Sequence, residues 1–225
     1  MVDSAAESKP LVTITGVSGF IGSMTAKFFL EDGAYRIRGT VRDKNNAIKI
    51  EPLKKTLGDA LFSQIELVEA DLLNSDSISA AITGSTHVVH TASPFVLANP
   101  EDPQTLIRPA VEGTKAVLNA CKANRIKRLV ITSSIAAIRS VTPANWPESN
   151  TFDESFFSDP AEDNPNCSTY NRSKTLAEQV AWEFQRAMPE EDRFELVSIN
   201  PALVFGPAFQ TNEFASGDVV KEIMT

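Results

Sequence analysis

Two periods alternate along the chain. Short runs rich in β-branched and aliphatic residues are separated by longer stretches with apolar positions three and four apart. The first kind predicts strands and the second amphipathic helices. Strands are predicted over Leu11–Thr15, Tyr35–Val41, Gln64–Ala70, His87–Ala92, Arg128–Ser134 and Phe194–Pro201. Helices are predicted over Ser23–Glu31, over Asn45–Leu61 with a break at Pro52, over Ile78–Ile82 with Gly84 as its stop, over Leu106–Ala123, and from Tyr170 to about Ala187. Regular alternation of strand and helix implies right-handed β-α-β units and an α/β fold with a parallel sheet.

Composition narrows the function classes. At 225 residues the chain is long enough for one large α/β domain, or one domain and part of another. With 42% hydrophobic residues it can build a core. The net charge of -8 and a pI near 4.9, with no basic block, argue against nucleic acid and against an anionic membrane surface. Cys121 and Cys167 make neither a disulfide framework nor a metal cluster, and fit a reducing compartment. The polar opening, residues 1–9, does not read as a signal peptide. No apolar run approaches the ~18–20 residues that cross a bilayer. The expected setting is the cytoplasm, and no metal is expected.

Chemistry enters at the first strand–helix junction. Gly16, Gly19 and Gly22 are spaced G-x-x-G-x-x-G between the strand and the first helix. Gly16 would permit the tight turn, Gly19 the approach of a pyrophosphate, and Gly22 close packing of helix on sheet. Free N–H groups at the helix start would face the anion. An NAD-specific site places an acid about twenty residues past the glycines, where this chain has Arg42. An arginine there can bond a 2′-phosphate, with Lys44 and Lys49 adding positive charge, so NADP(H) is the expected cofactor. The competing reading of Arg42 is a solvated strand-end residue. Asp71, closing the third strand, could accept from an adenine amino group or cap the helix beginning near Asn74 or Ser75. In a parallel sheet, ligands gather at the carboxyl ends of strands, so backbone around Thr91, Ala92 and Ser93 would line the cofactor.

Tyr170 and Lys174 stand at i, i+4, which places phenol and ammonium on one helix face. The lysine would lower the phenol's pKa toward neutrality and make it a proton donor or acceptor. The fifth strand ends in Ser133 and Ser134, either of which could reach the same cleft. Neither is set as a nucleophile, because G-x-S-x-G is missing and His87 and His90 are not placed as a base. Those histidines, three apart on a strand, point to opposite faces and read as structural. Asn119, in the fourth helix, is expected either to hold water near the lysine or to be a satisfied core amide. The long loop from Pro143 to Cys167 is expected to be functional.

Together the runs Thr15-Gly16-Val17-Ser18-Gly19-Phe20-Ile21-Gly22, Thr40-Val41-Arg42-Asp43, His90-Thr91-Ala92-Ser93-Pro94, Thr132-Ser133-Ser134, Tyr170-x-x-Ser173-Lys174-Thr175-Leu176-Ala177-Glu178 and Pro201-x-x-Val204-x-Gly206-Pro207 resemble the extended short-chain dehydrogenase/reductases. Within them the chain is most similar to the dihydroflavonol reductase, cinnamoyl-CoA reductase and methylglyoxal/ketone reductase group. The resemblance implies a Rossmann-type doubly wound sheet with helices on both faces. It implies Ser134 as the serine that polarises a carbonyl, Tyr170 as proton donor, and Lys174 as the residue that holds the nicotinamide ribose and tunes the tyrosine. Cofactor contacts would come from Gly16, Ser18, Gly19, Phe20, Ile21 and Gly22 at the turn and from Arg42 and Lys49 at the 2′-phosphate. Asp71 and Leu72 would meet the adenine, Thr91, Ala92 and Ser93 the ribose and pyrophosphate, and Pro201 and Val204 the nicotinamide. The implied reaction is hydride transfer from NADPH to an aldehyde or ketone.

Family members extend well beyond the sixth strand into a substrate lobe. The expected organisation is therefore a polar tail over 1–9, an NADP-binding domain over 10–207, and only the start of that lobe over 208–225, without a closed substrate pocket. Arg139, five positions past Ser134, stands where plant dihydroflavonol reductases have a polar, usually uncharged residue, which points away from flavonoids. The rival readings are a nucleotide-sugar epimerase or dehydratase with bound NAD, a non-catalytic NADP-binding redox sensor, and an inactive nucleotide-binding fragment. Monomer and homodimer both remain open.

Overall fold

A computed structural model of the chain describes residues 9–94, 100–206 and 224. Six parallel strands form one sheet: β1 (Leu11–Thr15), β2 (Arg36–Val41), β3 (Ile65–Glu69), β4 (His87–His90), β5 (Arg128–Thr132) and β6 (Glu195–Ile199), in the order β3-β2-β1-β4-β5-β6. The helices are α1 (Phe20–Asp32), α2 (Ala47–Phe62), α3 (Ser75–Ile82), α4 (Gln104–Ala123) and α5 (Thr169–Ala187). This is the Rossmann-type doubly wound arrangement. The strand order reverses between β1 and β4, which opens a crevice at their carboxyl ends.

Packing follows from the two faces of β1, all of whose residues are buried. Val12 and Ile14 join Ala26 and Leu30 of α1 and Leu53 and Leu57 of α2 in one core. On the other face Val88, Leu129 and Leu196 pack under α3, α4 and α5, with Ile82, Leu118 and Ala181 at the contact. Burial on both faces is why central parallel strands read as unbroken apolar runs. Thr13 and Thr15 are the polar exceptions, and both are satisfied: Thr13 Oγ1 bonds Ser85 at 2.7 Å and Thr15 Oγ1 bonds His90 Nδ1 at 2.7 Å.

Four local expectations need correction. First, α1 starts at Phe20 rather than Ser23, because extended Gly19 (φ -78°, ψ 168°) is its N-cap and the chain turns helical directly after it. Second, α2 is not broken at Pro52, which lies inside the helix. Proline's fixed φ suits a helix at the cost of one hydrogen bond, and the irregularity falls at Gly58 (φ 72°, ψ 161°). Third, the cap of α3 is Asn74, whose side chain accepts from Ser77 N at 3.1 Å. The Asp71 carboxylate instead accepts from Leu73 N at 2.8 Å, two residues on. Fourth, Asn119 is exposed, so neither role expected of it holds. The inward arc of α4 runs through Ala110, Thr114, Val117, Leu118 and Cys121, and Asn119 and Lys115 fall outside it. The segments 1–8 and 207–223, which include most of the tail and of the expected lobe start, lie outside the described residues.

Candidate functional site

The site begins where β1 runs into α1. Gly16 takes φ 68°, a conformation costly for residues with a Cβ. Its amide donates to Thr40 Oγ1 at 3.1 Å, its carbonyl accepts from Gly19 N at 2.9 Å, and Val17 N donates to Thr40 O at 3.1 Å. A Cβ on Gly16 would lie 2.8 Å from Ala92 Cα, and one on Gly22 would lie 2.5 Å from Gly16 O and 2.8 Å from Thr91 Oγ1. Glycine is thus required at both positions by backbone contact. Thr91 Oγ1 donates to Thr15 O at 2.6 Å, and Ala92 N to Thr15 Oγ1 at 3.2 Å, which seats the end of β4 on the turn. No side chain caps the start of α1, and its first turn carries no acid. Its positive end therefore faces the cleft without internal compensation.

That cleft, of about 1010 Å³, is lined by Gly16, Ser18 to Gly22, Arg42, Lys49, Asp71, Leu72, Thr91 to Ser93, Ser134, Tyr170, Lys174, Pro201 and Val204, whereas Lys44, expected to add positive charge there, is not among its lining residues. Arg42 is exposed and Lys49 half-buried. Among the described residues neither forms an ion pair. Thr40 and Asn171 also line it and were not anticipated. A hydroxyl at the carboxyl end of β2 was a readable signal for Thr40. Asn171 had none, since its Nδ2 donates to Ser140 Oγ, 31 residues away.

At the other end stand the candidate catalytic groups. Ser168 caps α5, its side chain accepting from Asn171 N at 3.2 Å, and so fixes the first turn that carries Tyr170. The Ser134 side chain hydrogen-bonds the Tyr170 phenol. Ser134 Oγ also accepts from Ala136 N at 3.1 Å, capping a short 3₁₀ turn. Ser133 Oγ is buried without a hydrogen-bond partner among the described residues, so of the two serines Ser134 is the one joined to the tyrosine. Lys174 is 8% exposed, and its Nζ donates to Thr132 O at 3.2 Å.

The electrostatics differ from the expectation drawn from i, i+4 spacing. Burial raises the Tyr170 pKa above its ordinary value, and the Ser134 hydrogen bond opposes this only in part. Lys174 Nζ sits 6.0 Å from the ring centroid and gives its hydrogen bond to a main-chain carbonyl. Desolvation of the phenolate therefore outweighs it. Burial also pulls the Lys174 pKa down to about 8, against an attraction from Glu178.

His90 is a buried imidazole between β1 and this site. Burial, and secondarily the Lys174 charge, lower its pKa to about 3. The folded value lies below the ordinary one, so the unfolded chain binds the extra proton between about pH 6.5 and 3. The stability from keeping His90 neutral is complete above that window and is lost as pH falls through it, at no more than about 1.4 kcal/mol per pH unit. Urea titrations from pH 7 to 4 should show a shallower decline for His90→Asn than for the wild type. Parallel declines would mean that His90 does not contribute.

The chain matches the NAD dependent epimerase/dehydratase family over residues 12–224 and belongs to that family, the extended short-chain dehydrogenase/reductases. A cinnamoyl-CoA reductase of Medicago truncatula is 39% identical over 202 residues, covering 89% of this chain and 59% of that protein. A putative anthocyanidin reductase of Ginkgo biloba is 37% identical over 220 residues, 95% of this chain and 61% of that protein. Among solved structures, yeast methylglyoxal/isovaleraldehyde reductase Gre2 complexed with NADPH superposes with a TM-score of 0.73 at 29% identity, covering 88% of this chain and 59% of that one. Vestitone reductase from alfalfa superposes at 0.71 with 30% identity, covering 92% of this chain and 61% of that one. The chain thus spans about three-fifths of the length of these relatives. Among the described residues no helix is long and apolar enough to cross a membrane, and no cluster of His, Cys, Asp and Glu could hold a metal ion.

Proposed function

We propose that the protein is an NADPH-dependent reductase of aldehyde or ketone carbonyls. One observation carries this reading: a single cleft joins the glycine turn and the cations Arg42 and Lys49 to a phenol that is hydrogen-bonded to Ser134 and followed one turn later by a buried lysine. The residues fit a dinucleotide. The closeness of Gly16 and Gly22 to surrounding backbone leaves the start of α1 open to a pyrophosphate, and Arg42 suits a 2′-phosphate where a carboxylate would repel it. Bound there, NADPH would supply the hydride.

The chain's own groups would do the rest. Ser134 Oγ and the Tyr170 hydroxyl would hydrogen-bond the substrate oxygen and stabilise charge as it develops. Tyr170, kept protonated by burial, would give its proton to that oxygen, leaving a phenolate. The Lys174 ammonium, on the same face, would stabilise that phenolate and hold the ribose.

Calorimetry with both cofactors, then a carbonyl panel followed by NADPH absorbance, tests the reading. NADPH should bind at least about tenfold tighter than NADH, a difference of one charge-assisted contact or more. Arg42→Ala should remove most of that preference. Equal affinities in the wild type would refute the NADP assignment. Nucleotide-sugar epimerases and dehydratases use the same side chains, but Arg42 in place of a ribose-binding acid favours the reductase. Retention of Tyr170 speaks against a non-catalytic sensor.

A further inference from the structure

One buried carboxylate beside the site has no part in the reductase reading. Glu178 follows Lys174 by one turn of α5 and is 7% exposed. Both its oxygens are engaged: Oε1 accepts from Trp182 Nε1 at 3.2 Å and Oε2 from Asn200 Nδ2 at 2.7 Å. The same Nδ2 donates to the main-chain carbonyl of Ser134 at 3.1 Å. Asn200 Oδ1 accepts from Ser198 Oγ at 3.1 Å, which fixes the orientation of the amide. A single side chain just past β6 therefore bridges α5 to the backbone of Ser134. A desolvated carboxylate costs several kcal/mol unless its partners compensate, so its presence calls for a use.

We propose that Glu178 is a positioning residue: through Asn200 it locks the Ser134 main chain against the helix that carries Tyr170, and it sets a buried negative charge one helical turn from Lys174. The proposal rests on the reductase reading for what that geometry serves. The groups facing Lys174 are Tyr170 and Glu178 on its own helix, His90 from β4, and the Thr132 carbonyl from β5. Burial holds His90 neutral at neutral pH, so Glu178 is the anion in this set. Its attraction opposes the burial that draws Lys174 down to about 8. Without that charge, Lys174 would lose its proton nearer neutrality.

The two parts separate in two variants of the full-length protein. Glu178→Gln removes the charge and keeps the shape. It should move the basic limb of kcat/KM, and of NADPH affinity measured by fluorescence, down by about one pH unit. Asn200→Ala keeps the charge and cuts the link to Ser134. It should lower kcat about tenfold or more, with the limb in place and the KM for NADPH within about twofold. Absence of either effect overturns the proposal, as does a loss of melting temperature alone, which would make Glu178 a fold residue only. Should Glu178→Gln fail to fold, the kcat of Asn200→Ala decides, and a wild-type value refutes the link. A wild type that reduces no carbonyl would sink the reductase reading by itself. The pH limb of NADPH binding would still report on Lys174, and an unmoved limb in Glu178→Gln would overturn the proposal there.

Discussion

Tyr170→Phe is expected to lower kcat by about 10²–10⁴-fold, the usual contribution of a positioned general acid. NADPH affinity should change by less than about threefold, because the ring and the Lys174 position remain. Burial places the phenol's pKa above its ordinary value, so at neutral pH the hydroxyl carries the proton that the proposed reduction would consume. Phenylalanine fills the same volume and removes only that donor. Ser134 would still bond the substrate oxygen, which is why some turnover should survive. Stopped-flow measurement of NADPH oxidation separates the chemical step from product release. If Tyr170→Phe turns over at the wild-type rate with every substrate found, Tyr170 is not the acid.

That Gly16, Arg42, Ser134 and Tyr170 would gather at one cleft was legible because each lies at or just past the carboxyl end of a strand, or on the helix that follows, and the α/β alternation marks where those ends fall. Less legible was anything set by burial. Spacing alone made Lys174 lower the phenol's pKa, yet the structure turns its Nζ to Thr132 O and lets desolvation win. Asn119 sits between buried Leu118 and Ala120, so only the true phase of α4 shows that it faces outward. Pro52 drew attention as a breaker, but the left-handed residue of α2 is Gly58. The Glu178–Asn200–Ser134 bridge joins positions 22 and 66 residues apart, and no local pattern encodes it.

The glycine turn gives the second large effect. Gly22→Ala should weaken NADPH binding by about 100-fold or more and lower stability by about 1–3 kcal/mol, the cost of overpacking. Helix propensity alone predicts the opposite sign, since alanine gains up to ~1 kcal/mol over glycine inside a helix. The contacts decide against it. A Cβ would stand 2.5 Å from Gly16 O and 3.0 Å from Val17 Cα, and backbone atoms cannot step aside as a flexible side chain can. Helix α1 would have to move off β1, taking its N–H groups away from the pyrophosphate position. Gly19→Ala provides the contrast. Its φ of -78° suits any residue, and its Cβ would meet only Gly16 O, at 3.2 Å. It should therefore melt within a few degrees of the wild type and still lose NADPH affinity, because the added methyl occupies the lining of the cleft. Thermal melts and NADPH titrations of both variants read the two effects separately. A Gly22→Ala protein that melts like the wild type and binds NADPH normally would show that the close packing at this turn is not what holds the cofactor site open.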